Sequence, residues 1–256
     1  MARFAIGSSL KMYFGRARTR DWVRSVAELC AEHPAVAQGI VEPFVIPTFP
    51  SIPETVAAAA GAGLRVGAQD MHWEPSGAFT GEVSGPELVE HGVSLVEIGH
   101  AERRALFGET DETVALKTAA ALRAGLAPVL CIGEQRKQDP AAAAAECRSQ
   151  LERSLRRARE EGVGGRLIVA YEPVWAIGAP EPAAESHIRG VTGALREHLA
   201  DDALLSPAQV IYGGSAGPGL LPRIAPDVDG MFLGRFAHDP AAFGAILDEA
   251  LELGAA

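Results

Sequence analysis

Apolar residues gather along this chain in eight short runs, at 3–8, 41–47, 64–68, 95–98, 127–131, 167–171, 209–212 and 230–233. Each has the length of one buried strand. The stretches between them read differently. At 21–30, 54–60, 87–91, 111–123, 141–159 and 186–199 the apolar residues recur at helical spacing. Strands that alternate with helices pair in parallel, and eight such units in about 250 residues predict one closed (β/α)8 barrel over residues 1–256. An open doubly wound sheet is the competing α/β arrangement. It ordinarily carries a glycine-rich nucleotide fingerprint after its first strand, and Gly7-Ser8-Ser9-Leu10-Lys11 lacks that spacing.

A barrel gathers its function at the C-terminal ends of its strands, where the loops feeding the helices converge. Standing there are Ser9 and Lys11 after the first run, Gly99-His100-Ala101-Glu102-Arg103-Arg104 after the fourth, and Gly133-Glu134 after the fifth. Glu172 follows the sixth, Gly213-Gly214-Ser215 the seventh and Gly234-Arg235 the eighth. Lys11, His100 and Glu172 supply a cation, a proton donor and a base, the set that moves a carbonyl along a sugar phosphate. Glu172 ends its strand at Pro173, which cannot continue the ladder, and a small loop with Trp175 at its root and Gly178 within it follows, the composition of a hinged lid. A carboxylate sealed beneath such a lid is a stronger base than in water. The glycines after the seventh and eighth runs let backbone N–H groups approach phosphate oxygens.

Composition narrows the partners. Lys and Arg number 23 against 33 Asp and Glu, and a net charge of -10 argues against nucleic-acid binding while leaving room for a local basic pocket. No apolar run is long enough to cross a bilayer, and residues 1–4 lead into a strand rather than a signal peptide, so a soluble, cytoplasmic protein is expected. Cys30, Cys131 and Cys147 are odd in number and lack metal-ligand spacing, which predicts reduced thiols and no metal.

A set of motifs covers essentially the whole chain: Lys11-Met12, Gly67-Ala68-Gln69, Gly77-Ala78-Phe79-Thr80-Gly81-Glu82, Gly99-His100, Glu102-Arg103-Arg104, Cys131-Ile132-Gly133-Glu134, the lid from Ala170 to Gly178, Tyr212-Gly213-Gly214-Ser215 and Asp229-Gly230. Together they resemble the triosephosphate isomerase family. That resemblance implies a single TIM barrel with Glu172 as base, His100 as electrophile, Lys11 as charge partner, and Glu102 and Cys131 as supporting residues. Ser9, Gly178, Gly213, Gly214, Ser215, Gly234 and Arg235 would surround the substrate. It also implies no cofactor, and a homodimer in which loop 77–82 inserts beside the partner's site. A neutral imidazole at a helix N-terminus is the known arrangement of triosephosphate isomerase itself, so for His100 it comes with the resemblance and not from the spacing.

Departures from the family lie close to this site. Ser9 and Ala101 stand where the family carries Asn and Ser, Ala179-Pro180-Glu181-Pro182 where its lid usually continues Thr-Gly-Lys-Thr, and Arg235 where a second glycine is usual. Glu97 puts a charge inside the fourth strand; counted from His100, it is expected to face the helices and to need a partner there. Ser9 and Ala101 both remove bulk beside the reacting centre, which suggests a substrate one carbon larger than a triose. The pattern resembles the branch interconverting L-erythrulose 1-phosphate and D-erythrulose 4-phosphate. Triosephosphate isomerase proper, acting on D-glyceraldehyde 3-phosphate and dihydroxyacetone phosphate, is the alternative. A barrel that binds a phosphorylated metabolite without turning it over is the third reading.

Overall fold

The computed structural model describes residues 2–254; Met1, Ala255 and Ala256, the ends of the expected 1–256 barrel, lie outside the described residues. Every apolar run is a strand: β1 (Phe4–Ser9), β2 (Val41–Ile46), β3 (Arg65–Ala68), β4 (Leu95–Ile98), β5 (Ala127–Ile132), β6 (Leu167–Tyr171), β7 (Ala208–Tyr212) and β8 (Gly230–Leu233). They pair in parallel in chain order, and β8 returns to β1 with Gly230 opposite Ala5, which closes the barrel. The six periodic segments form the helices Arg16–Glu32, Ile52–Ala59, Gly85–Glu90, Asp111–Arg123, Pro140–Glu161 and Glu185–Leu199. A further helix, Pro240–Gly254, buries Phe243, Ile246, Leu247 and Ala250 at the same spacing. Local chemistry sets the starts: Asp139 accepts the Ala142 N–H at 3.1 Å just before Pro140, whose missing donor costs nothing in a first helical turn.

Strand alternation splits the core in two. Ala5, Phe44, Ile46, Leu95, Val129 and Ile168 point into the barrel, while Ile6, Val45, Val96, Leu130, Val169 and Val210 pack against the helices. Glu97 is in phase with Leu95 and therefore faces the barrel interior, where it is 3% exposed. The expectation that it faces the helices is corrected here, and the reason is local. Gly99, between Glu97 and His100, has φ +77, a left-handed turn that resets the alternation before His100.

Candidate active site

Tyr171 ends β6 with its side chain among the helices, so Glu172 turns into the mouth of the barrel, where it is buried. Its carboxylate packs so closely on Gly213 that a Cβ there would lie 2.7 Å from Glu172 Cγ, which only glycine avoids. From the end of β4, His100 reaches the same point: its Nε2 lies 3.5 Å from Glu172 Oε2. Neither atom has a hydrogen-bond partner among the described residues. Leaving a buried polar group unpaired costs about 1–3 kcal/mol, and such groups persist where a ligand satisfies them.

His100 Nδ1 accepts the backbone N–H of Glu102 at 3.1 Å, capping the helix Ala101–Leu106. A backbone N–H only donates, so Nδ1 is bare and the neutral ring carries its proton on Nε2, on the Glu172 side. The ring is held neutral: burial, then the charge of Lys11, lower its pKa to about 4. Burial, then the charge of Glu97, raises Glu172 to about 8. Their contact is therefore between two groups each pushed toward its neutral form, rather than an ion pair.

Lys11 follows β1 with φ +46, a conformation that costs a side-chain-bearing residue on the order of 1–3 kcal/mol. Gln69 Nε2 holds that turn by donating to the Lys11 carbonyl at 2.9 Å and to that of Ile46 at 3.3 Å. Lys11 Nζ donates to Glu102 Oε1 at 2.8 Å. Burial pulls its pKa down, but this bond and the charges of Glu172, Glu102 and Glu97 outweigh that and leave it raised, so the ammonium persists. Cys131 lies inside the barrel; burial, then the charges of Glu172 and Glu97, raises it well above the usual thiol range and keeps it protonated.

A cleft of ≈ 720 Å³ opens above, with Ser9, Lys11 and Glu172 at one end and Gly214, Ser215, Gly234 and Arg235 at the other. Among the described residues the N–H groups of Gly214, Ser215 and Gly234 donate to nothing, as an anion site requires. Gly213 differs: its N–H donates to the Tyr171 carbonyl at 2.8 Å and is not free for an anion, and its lack of a side chain leaves room for Glu172. The Ser215 hydroxyl is committed to the lid, 2.6 Å from the Ala179 carbonyl and 3.1 Å from that of Ala176. Arg235 Nη2 reaches the Gly178 carbonyl at 3.4 Å. At the lid's root, the buried Glu134 accepts from Trp175 Nε1 at 2.8 Å and Tyr171 OH at 3.1 Å, and lies 2.9 Å from His187 Nε2. Sequence motifs contained Glu134 and Gln69 without revealing these supporting roles, since their partners lie in other elements.

The two departures open space in different places. Ser9 lines the large cleft, but the shortened side chain is met by Glu97, whose carboxylate accepts the Ser9 hydroxyl at 2.7 Å. Ala101 lines a separate cavity of ≈ 90 Å³ on the other side of Glu172, with Arg104, Gln150 and Arg153.

An eight-stranded parallel barrel with a raised carboxylate, a neutral imidazole and an ammonium at its mouth, beside free N–H groups for an anion, defines a (β/α)8 proton-transfer enzyme. The family model for triosephosphate isomerase matches residues 4–250; the chain belongs to that family, and it is an isomerase. It is 51% identical over 251 residues to L-erythrulose-1-phosphate isomerase of Pectobacterium atrosepticum, covering 98% of this chain and 97% of that one. The protein of the same name from Rhizobium etli is 41% identical over 241 residues, 91% of this chain and 86% of that one. Triosephosphate isomerase of a Synechococcus strain is 36% identical over 251 residues, 97% of each. Among the described residues no helix is long and apolar enough to cross a membrane.

Proposed function

We propose that the protein interconverts L-erythrulose 1-phosphate and D-erythrulose 4-phosphate by cofactor-independent proton transfer through an enediolate. The observation that carries the chemistry is the pair of opposed, unpartnered atoms, His100 Nε2 and Glu172 Oε2, at the floor of an anion-binding cleft. The phosphate is held by the N–H groups of Gly214, Ser215 and Gly234 with Arg235, while His100 and Lys11 face the carbonyl. Glu172 takes the proton from the carbon beside the carbonyl, and His100 Nε2–H supports the oxygen on which charge develops. Returning the proton to the former carbonyl carbon, with a proton exchanged between the two oxygens through His100, completes the isomerisation. No atom is gained or lost and no electron leaves the substrate.

The choice of a four-carbon substrate is supported by the names of the relatives at 51% and 41% identity. Ser9, smaller than the family's asparagine, points the same way. We further place the protein in the cytoplasm as a homodimer built around loop 77–82, where Phe79 is 41% exposed. The test is to assay the purified protein on L-erythrulose 1-phosphate and on dihydroxyacetone phosphate side by side. The expected result is a larger kcat/KM for the tetrulose phosphate. Triose turnover near the diffusional ceiling of about 10⁸ M⁻¹s⁻¹ with no tetrulose activity overturns the substrate and leaves triosephosphate isomerase proper.

A further inference from the structure

Glu97 is a barrel-lining carboxylate near the site that the reaction above does not use. It projects inward from β4 and crosses to β1, with β2 and β3 between them in the sheet, to accept the Ser9 hydroxyl at 2.7 Å. Glu97 does not border the cleft, whereas Ser9 lines it beside Glu172 and Lys11. A hydroxyl has one proton and two lone pairs. When the proton goes to Glu97, Ser9 Oγ has only lone pairs left to offer, and can accept but not donate.

We propose that Glu97 is a specificity-determining residue acting through Ser9: by taking the Ser9 proton it turns Ser9 Oγ into an acceptor for the hydroxyl of the extra hydroxymethyl group that a ketotetrose phosphate carries and a triose phosphate lacks. This rests on the four-carbon substrate proposed above. A buried site arranged to accept a hydroxyl discriminates strongly against an analogue without one, because its own polar group is then left unpaired. A carboxylate in the barrel is costly to bury: burial raises Glu97 to about 7, and the Ser9 bond and Lys11 offset only part of that rise. The other charged or titratable groups near it are Asp70, Glu102, Cys131 and Glu172, so it also acts on the base by plain repulsion. The experiment must separate the two effects.

Two substitutions do so. Glu97→Gln removes the charge but keeps an oxygen that accepts the Ser9 proton; Glu97→Leu, of similar size and suited to a buried position, removes the acceptor as well. For each, kcat/KM is measured on L-erythrulose 1-phosphate and dihydroxyacetone phosphate, together with the pH profile. The wild-type ratio, measured first, tests the substrate assignment alone. If Glu97 acts through Ser9, Glu97→Leu lowers the tetrulose-to-triose ratio at least tenfold, while Glu97→Gln keeps the ratio within about threefold of wild type and moves only the pH profile. Adding Glu97→Leu to Ser9→Ala then changes the ratio no further, since the two residues form one device. A parallel fall on both substrates in Glu97→Leu, or effects of Ser9→Ala and Glu97→Leu that multiply, overturns the inference whatever the wild-type preference.

Discussion

The proposed reaction needs Glu172 as an anion, whereas its surroundings favour the neutral form. Burial and the nearby Glu97 charge raise its pKa from 4.5 to about 8, so the free enzyme must lose a proton before the base can work. The acid limb of the kcat/KM profile is therefore expected well above the ordinary carboxylate range, and to shift downward in Glu97→Gln, where the neighbouring charge is gone. A limb near pH 4 would contradict this. Glu172→Gln is expected to lower turnover at least a thousandfold with folding intact, because an amide cannot accept the substrate proton; a variant keeping a tenth of the activity would remove Glu172 from the mechanism. The same residue makes a stability prediction. Its folded pKa lies above its unfolded one, so between pH 4.5 and about 8 the folded state binds the extra proton. The contribution is complete below pH 4.5 and is lost as pH rises through 8. Thermal melts should accordingly show Glu172→Gln gaining on the wild type more at pH 9 than at pH 5, and an equal difference at both would refute the raised value.

The lid is pinned at both ends by groups from other elements. Glu134 takes the Trp175 indole N–H at its root, while Ser215 and Arg235 hold the carbonyls of Ala176, Gly178 and Ala179. Pro180 and Pro182 fix φ in the closing half, so the movement should fall on 174–178. Hydrogen exchange is expected to be faster at 174–178 than at Glu181, Ala183 and Ala184; equal rates would count against that division. A hydrogen bond to a carboxylate contributes about 1.5–3 kcal/mol. Trp175→Phe should therefore loosen the root and lower kcat/KM by roughly tenfold, with exchange at 174–178 rising in the same variant. Unaltered exchange would mean that Glu134 does not anchor the lid.

At the scale of the molecule, the exposed apolar residues bear on assembly. Phe79, Leu106 and Phe107 are 41%, 73% and 68% exposed. On a lone barrel these would be a liability, and the proposed dimer would cover Phe79 with its loop. Light scattering is expected to give twice the 26.8 kDa chain mass, and a monomer at micromolar concentration would refute the dimer.

The strands and most helices were legible in the chain because burial imposes periods of two and 3.6 on neighbouring residues. That Lys11, His100 and Glu172 converge was legible because each stands within two residues of a strand's end, and a closed parallel barrel brings all such positions to one mouth. What depends on residues far apart was not. Counting by twos misplaced Glu97, because the left-handed turn at Gly99 breaks the count and only the backbone angle reveals it. Ser9 and Glu97 stand 88 residues apart on strands that do not touch, and their bond exists only across a closed barrel. Ala101 borders a different cavity from Ser9, and Gly213 packs on Glu172 with its N–H committed to Tyr171, for the same reason. Residue types and their order determined which groups could do the chemistry. Tertiary packing decided their protonation, their hydrogen-bond polarity and the shape of the space between them, since those follow from burial and from charges supplied by other elements.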